Sequence, residues 1–471
     1  MKVLAREERE PHTTPSKVDV KPPLKDKHKP RAKRERDCSL NVAHTRPLLS
    51  QRIGGQARLA HAEEGHTMAN LFARGVHAAW LASLRRPTNR FLAAIRAPEA
   101  TQARKLHALL ARNSDTAYGR EHSFHRVATP EQWQSVVPLS SPESVSPWVE
   151  RIAAGESKVL TRDPVLTLEP TAGTSGSSRL VPYTQGLVDD LMAATGPWLF
   201  EIYHQWPQLL GTRSYWSASN APRTSGKSPG GIPIGTQDDS AYFGPLEGWA
   251  NARLTAATPD EDSAPTPRTP LERAQRLLQA DDLGFFSVWS PEALLELLSL
   301  IEANFDEVLA TLNPARITNI QGAIQSAGRL TLPALWPALT LISCWGEGTS
   351  KEARTRLEKA APGVAIQPKG LLATEGVVTV PMGQVEGSLA AVGSHFLEFI
   401  NLDTPNARPA LVHEVQKDAS YSPVLSTSGG LFRYKLGDII HCVGHSAGTP
   451  RFVFKGRLAK ATPSSEAPSC I

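Results

Sequence analysis

The sequence predicts an α/β protein in which a helical region leads into mixed strands and helices and then into an antiparallel β region. Three observations carry that expectation. Apolar residues recur at three- and four-residue steps after Met68 and again after Pro98. Short apolar runs of strand length alternate with helical stretches through the middle of the chain. Beyond Gly387, period-two segments separated by Gly-rich turns take over. With 471 residues, 40% of them apolar, the chain is long enough for more than one domain. No apolar run reaches the roughly 20 residues of a bilayer span. Even the Leu-rich stretch 294–312 carries Glu296, Glu302, Asp306 and Glu307, so no membrane partner is expected.

Taken in order, residues 1–67 hold 15 Lys/Arg against 9 Asp/Glu, which leaves 36 basic and 37 acidic residues in the rest of the chain. The net charge of +5 therefore belongs to this segment and describes no basic face on the folded part. Residues 25–37 are almost entirely charged or Pro, so the segment is expected to be a disordered basic tail. It is read as a solvated extension, or as sequence upstream of a start at Met68, and no nucleic-acid partner is assigned. It lacks the apolar stretch of a secretory signal, and its acidic residues count against a mitochondrial presequence. Cys38, Cys344, Cys442 and Cys470 are far apart with no CxxC spacing, which fits a reducing cytoplasm and argues against a structural zinc site.

Leu71, Phe72, Val76, Trp80 and Leu84 are expected to form the buried stripe of a first helix, and Leu106, Leu109 and Leu110 that of a second. Runs at 165–168 and 180–181 read as strands, followed by a helix over 185–200. Residues 255–270, TAATPDEDSAPTPRTP, have no apolar face and read as an exposed connection. Ser290 and Pro291 supply an N-cap and first turn for one helix expected to run through Leu312. Residues 339–343 read as a buried strand. The antiparallel strands are expected over 396–400, 411–415, 439–443 and 452–454.

Three separated stretches carry candidate chemistry. TAGTSGSS, residues 171–178, lies between two strand-like runs and precedes Arg179. Gly173 and Gly176 allow tight turns, while the hydroxyls of Thr171, Thr174, Ser175, Ser177 and Ser178 and successive N–H groups could converge on an anion beside the Arg179 charge. By composition the stretch suits a polyphosphate or a polar surface loop. It is no P-loop, because the GK[ST] ending is missing and Pro182 holds Val181 out of the helical region. In LLATEGV, residues 371–377, Thr374 and Glu375 end an apolar run, and a hydroxyl beside a carboxylate suits a phosphate oxygen and a Mg²⁺ ion, or an ordinary turn. In GGLFRYKLGD, residues 429–438, Asp438 follows Gly437, where a carboxylate can accept both hydroxyls of a ribose or simply form the turn.

In order and spacing these three stretches resemble the auxin-responsive Gretchen Hagen 3 family of acyl-acid-amido synthetases, within the acyl-adenylating superfamily that includes firefly luciferase. RNSDTAYGREHSF from Arg112, VVPLSSPESVSPWVERIAAGE from Val136, LGFFSVWSPEALLELL from Leu283, LISCWGEG from Leu341 and HFLEFIN from His395 extend the similarity over about residues 68–457. The resemblance implies a large acyl-adenylating domain over 68–457, with mixed sheets flanked by helices and an antiparallel β subdomain. It implies ATP and Mg²⁺ as cofactors, and a small carboxylic acid and an amino acid as substrates. It places the phosphate clamp on residues 171–179, the α-phosphate contact on Thr374, the metal on Glu375, the ribose on Asp438, and the hinge before the small C-terminal domain at Arg457. Arg179 stands where the family commonly has Lys, and the two cations differ in geometry. Only residues 458–471 follow Arg457, polar and unlike the family, so the small domain is expected to be missing and amide transfer to be impaired.

Two other readings are carried alongside: adenylation followed by thioester transfer to coenzyme A, and a catalytically silent nucleotide-binding protein. GHSAG at 444–448 fits GxSxG, but strand-turn-strand context is expected there and a nucleophile elbow needs a helix at once, so Ser446 is not assigned as a nucleophile. His61 and His66 lack HExxH spacing.

Overall fold

A computed structural model describes residues 68–171, 179–217, 226–235, 254–256, 269–404 and 406–458. The tail 1–67, most of the 255–270 connection and residues 459–471 lie outside the described residues, as do His61 and His66.

A parallel four-stranded sheet runs in the order Arg213–Ser217, Leu283–Val288, Leu341–Cys344, Ala365–Pro368. Its central strands are apolar on both faces, as a covered parallel sheet requires. Phe286 and Ile342 pack with helices Pro270–Gln279, Pro291–Ala303, Pro314–Ala327 and Lys351–Ala360, whereas Phe285 and Leu341 face the core built on helices Met68–Ala94 and Gln185–Gln205. Alternation along each strand thus feeds two cores from one sheet.

The second large sheet is antiparallel, ordered Thr379–Val380, Ser388–Ala390, Thr449–Arg457, Asp438–Ser446, Ser420–Ser426, Phe396–Asn401, Ala410–Leu411, with Tyr434–Lys435 also paired to Ser420–Ser426. A third sheet contains the antiparallel pair Thr167–Pro170 and Leu180–Tyr183 that flanks the 171–178 stretch. The expected strands at 165–168 and 180–181, the 185–200 helix and the 339–343 strand are all present with shifted ends.

Four expectations are corrected. Leu71 and Phe72 are 62% and 59% exposed, so the first helix buries Val76, Leu84 and Phe91 instead. The helix from Pro291 stops at Ala303 and a new turn begins at Phe305, because Asn304 leaves helical geometry and its amide donates to the Leu300 carbonyl. Residues 411–415 are a strand only at Ala410–Leu411; the 3₁₀ turn Val412–Glu414 follows, drawn round by the Glu414 carboxylate accepting from Leu411 N. The 439–443 and 452–454 segments are longer than expected, Asp438–Ser446 and Thr449–Arg457, and bulges absorb the register shifts after Ile439 and Cys442. Ser446 sits in the expected strand-turn-strand context, and its hydroxyl receives a 3.4 Å contact from Arg451. No described helix is long and apolar enough to cross a membrane.

Candidate functional site

Thr374 and Glu375 form the two-residue link of a hairpin, Leu372–Ala373 with Gly376–Val377, in which Ala373 pairs with Gly376. The backbone at Gly376 runs against a buried histidine: a Cβ there would stand 2.7 Å from His395 Nε2. Only glycine lets the turn sit so close to that ring.

Asp438 opens the strand that pairs with Thr449–Arg457, and Arg457 is its cross-strand partner. Arg457 Nε donates to Asp438 Oδ1 at 2.8 Å, with the Arg457 side chain 61% exposed and that of Asp438 2% exposed. Gly437 turns the chain into this strand at φ +81°, a conformation that L side chains resist. Asp438 Oδ2 is buried and has no hydrogen-bond partner among the described residues. Burial pushes the Asp438 carboxyl above the usual carboxylate range, against the pull of Arg457.

Asp438 and Arg457 are close enough to act on Glu375. Burial raises the Glu375 carboxyl and the Asp438 charge adds to that rise, while its own backbone N–H, Arg457 and a long 3.5 Å bond from the Tyr434 hydroxyl oppose it. Two neighbouring carboxylates with raised protonation, one of them with an orphaned oxygen, form a donor set short of positive charge. This is the local chemistry that a hard cation or ribose hydroxyls would satisfy.

Thr171 and Arg179 form the neck of the first stretch, where Thr171 N donates to the Arg179 carbonyl at 2.8 Å. At the end of strand Leu180–Tyr183, Tyr183 reaches the second stretch, its hydroxyl donating to the Thr374 carbonyl at 2.8 Å. Arg179 also acts on Tyr434, countering the burial that raises that phenol. Its guanidinium pairs at 3.0 Å with Glu143 in the first turn of helix Pro142–Ala153, with both side chains well exposed. Such an exposed pair is weak and leaves the cation exchangeable. Gly173, Thr174, Ser175, Gly176, Ser177 and Ser178 lie outside the described residues.

The structure therefore gathers Thr374, Glu375, Asp438 and Arg457 into one neighbourhood and brings Thr171 and Arg179 to its edge. Tyr183 and Tyr434 are the links that sequence reasoning missed. Both were inside or beside the quoted motifs, but an aromatic residue at a strand end carries no signal that distinguishes linking from packing. The third stretch is held by its surroundings. Ser140 accepts from Lys435 N and donates to the Arg433 and Phe432 carbonyls through its N–H and hydroxyl respectively, at 2.7 to 3.0 Å. Arg433, at φ +48°, forms a buried ion pair with Glu398 that also receives Trp133 and Gln134. Phe432 stacks on Tyr118 and meets Phe124 and Trp133 edge-on.

Residues 87–318 match the family model described as the GH3 family N-terminal domain, and residues 388–457 match the GH3 family central domain. Among curated relatives, the chain is 22% identical over 408 residues to indole-3-acetic acid-amido synthetase GH3.15 of Arabidopsis thaliana, covering 75% of this chain and 67% of that one. It is 25% identical over 384 residues to a putative indole-3-acetic acid-amido synthetase GH3.10 of Oryza sativa subsp. japonica, covering 76% and 78%. The solved structure of the AtGH3.15 acyl acid amido synthetase in complex with 2,4-DB superposes with a TM-score of 0.68 at 18% identity, over 80% of this chain and 70% of that one. At that identity the likeness concerns the fold alone.

Proposed function

The chain belongs to the GH3 (Gretchen Hagen 3) family, and from that membership and the site geometry we propose that it is an ATP-dependent acid–amino acid ligase. The carboxylate of a small organic acid attacks the α-phosphorus of ATP, and the bond to the β-phosphate oxygen breaks to release pyrophosphate. An amine nitrogen then attacks the acyl carbon of the mixed anhydride, losing a proton as AMP departs and an amide forms. Both steps gather negative charge, so the protein's part is positioning and neutralisation.

Asp438 takes the ribose, offering its orphaned Oδ2 to a hydroxyl while Arg457 holds Oδ1. The Thr374 hydroxyl and the 171–179 stretch receive the phosphates, with Tyr183 tying the two together at the Thr374 carbonyl. Glu375 is the residue suited to Mg²⁺, since burial beside Asp438 raises its protonation against a backbone N–H and a long bond from Tyr434, and a cation would offset that. A bound Mg²⁺ would supply charge neutralisation at the triphosphate. The observation that carries this reading is the buried Asp438 oxygen beside Glu375, which has no partner among the described residues.

The test is acid-dependent exchange of labelled pyrophosphate into ATP, followed by mass spectrometry of reactions given an amino acid, coenzyme A or hydroxylamine. An amide with the amino acid supports the ligase. A thioester as sole product moves the chain to coenzyme A chemistry, and no ATP binding with no exchange rejects the adenylation itself. Catalytic silence with intact ATP binding would make it a nucleotide-binding protein.

A further inference from the structure

The parallel sheet carries a second cluster of polar groups that the nucleotide reading does not use. Trp216, Ser287, Ser343 and Gln367 are paired in one row across the four strands, and each is the penultimate residue of its strand. Paired residues in such a row share a face. For Ser287 that is the face of Phe285, two residues earlier, which packs against the core containing Trp198. The row thus lies at the carboxyl ends of parallel strands, where crevices in open α/β sheets take ligands.

Lys369 follows the last of these strands and points back along the row. Its Nζ donates to Ser287 Oγ at 2.5 Å and stands 5.6 and 5.8 Å from the ring centres of Trp198 and Trp216. Trp198 is itself fixed by donating to Gln367 Oε1 at 2.9 Å. Among the described residues no carboxylate lies within ion-pair distance of Lys369. Burial lowers the Lys369 ammonium to about 8, with the Cys344 thiol opposing, so it is still largely charged at neutral pH. Beside it in the row, Ser343 is 0% exposed and its hydroxyl has no partner among the described residues. A cation without an anion and a buried hydroxyl without an acceptor together describe half of a binding site.

We propose that Lys369 and Ser343 receive the carboxylate of the acid substrate, with Trp198, Trp216 and Phe285 against its apolar body. This rests on the ligase reading and adds to it the residues that hold the acid. One carboxylate oxygen accepts from Lys369 Nζ and the other from the Ser343 hydroxyl. The ammonium keeps its cation–π contacts with the indoles, and the carboxylate takes the side of Nζ turned from them. Lys369 lies five residues before Thr374, a separation of at most about 18 Å even for extended chain, so acid and nucleotide sites are adjacent.

Calorimetric titration of the whole chain with benzoate, benzamide and ATP·Mg²⁺ tests this. Benzoate is expected to bind at least about tenfold more tightly than benzamide, since only the anion can pair with the ammonium. Lys369→Met, which keeps the stem without the charge, should abolish that preference. Ser343→Ala should weaken benzoate about threefold or more without lowering the melting temperature, because it removes an unsatisfied group. ATP affinity should stay the same in both variants. The proposal is overturned by equal benzoate and benzamide binding, by no benzoate binding at millimolar concentration, by a benzoate constant within twofold in Lys369→Met, or by parallel loss of ATP affinity. Should Lys369→Met fail to fold, the wild-type preference and Ser343→Ala decide. A wild type that binds benzoate with this preference but not ATP rejects the nucleotide site and leaves the carboxylate site standing.

Discussion

Replacing Asp438 by Asn separates a binding role from a structural one. Asp438 Oδ1 holds Arg457, whose side chain is 61% exposed, so the ion pair contributes little to stability. Oδ2 is buried without a partner, and burial already raises the carboxyl, so the folded protein bears a desolvated, half-satisfied charge. Asn keeps an acceptor for Arg457 and removes the charge, and the variant should melt at the same temperature as wild type or higher. Its ribose bond would become one between neutral groups. A hydrogen bond to a charged group contributes about 1.5–3 kcal/mol and a neutral one about 0.5–1.5 kcal/mol, so the exchange costs about 1–1.5 kcal/mol, or about 5- to 12-fold in dissociation constant at 1.4 kcal/mol per decade. The assay is calorimetric titration of wild type and Asp438→Asn with ATP and with 2′,3′-dideoxy-ATP. ATP should lose affinity by that factor, while the dideoxy analogue, already lacking the hydroxyls, should bind both proteins alike. An equal loss for both nucleotides would refute ribose recognition, and unchanged ATP affinity would remove Asp438 from the site. A lowered melting temperature would mean that the carboxylate is structural.

Further outcomes follow from other contacts. Because burial raises both Glu375 and Asp438 above their unfolded values near pH 4, the folded state binds more protons, and stability falls as pH rises from there through the raised folded values. In urea titrations the double variant Glu375→Gln, Asp438→Asn should lack this decline, so its advantage over wild type should open above about pH 4 and then level off. Tyr183→Phe removes the bond to the Thr374 carbonyl and should cost about 0.5–1.5 kcal/mol in urea unfolding, with a weaker nucleotide affinity; no change in either measurement would deny the link. Glu398→Ala leaves Arg433 buried and unpaired and should destabilise by about 3–5 kcal/mol or prevent soluble expression; a loss under 1 kcal/mol would contradict the buried pair. Ser446→Ala should leave ATP binding and exchange unchanged, and a fluorophosphonate probe should label neither protein.

Much of the fold could be read from the chain because it rests on local periodicity. The strand pair around residues 171–178, the helix from Gln185 and the antiparallel segments after Gly387 all carry their period in consecutive residues. The reading failed where a tertiary contact or a side-chain hydrogen bond outweighed periodicity. Leu71 and Phe72 continue the apolar pattern of their helix but stay exposed, and the Asn304 amide ends a helix that Leu spacing would extend. Within the site, Thr374, Glu375 and Asp438 were visible as residue types at strand ends. Their adjacency was not, since it depends on the Asp438–Arg457 register and on two tyrosine hydroxyls reaching across from other elements. Lys369, Ser287 and Ser343 gave no signal at all. Ser287 and Ser343 lie on strands far apart in the chain and Lys369 just follows a third, and only pairing in a parallel sheet brings them together. Residue chemistry and local period are written along the chain, whereas the pairing of distant strands, and with it which buried group is left without a partner, is decided when the sheets form.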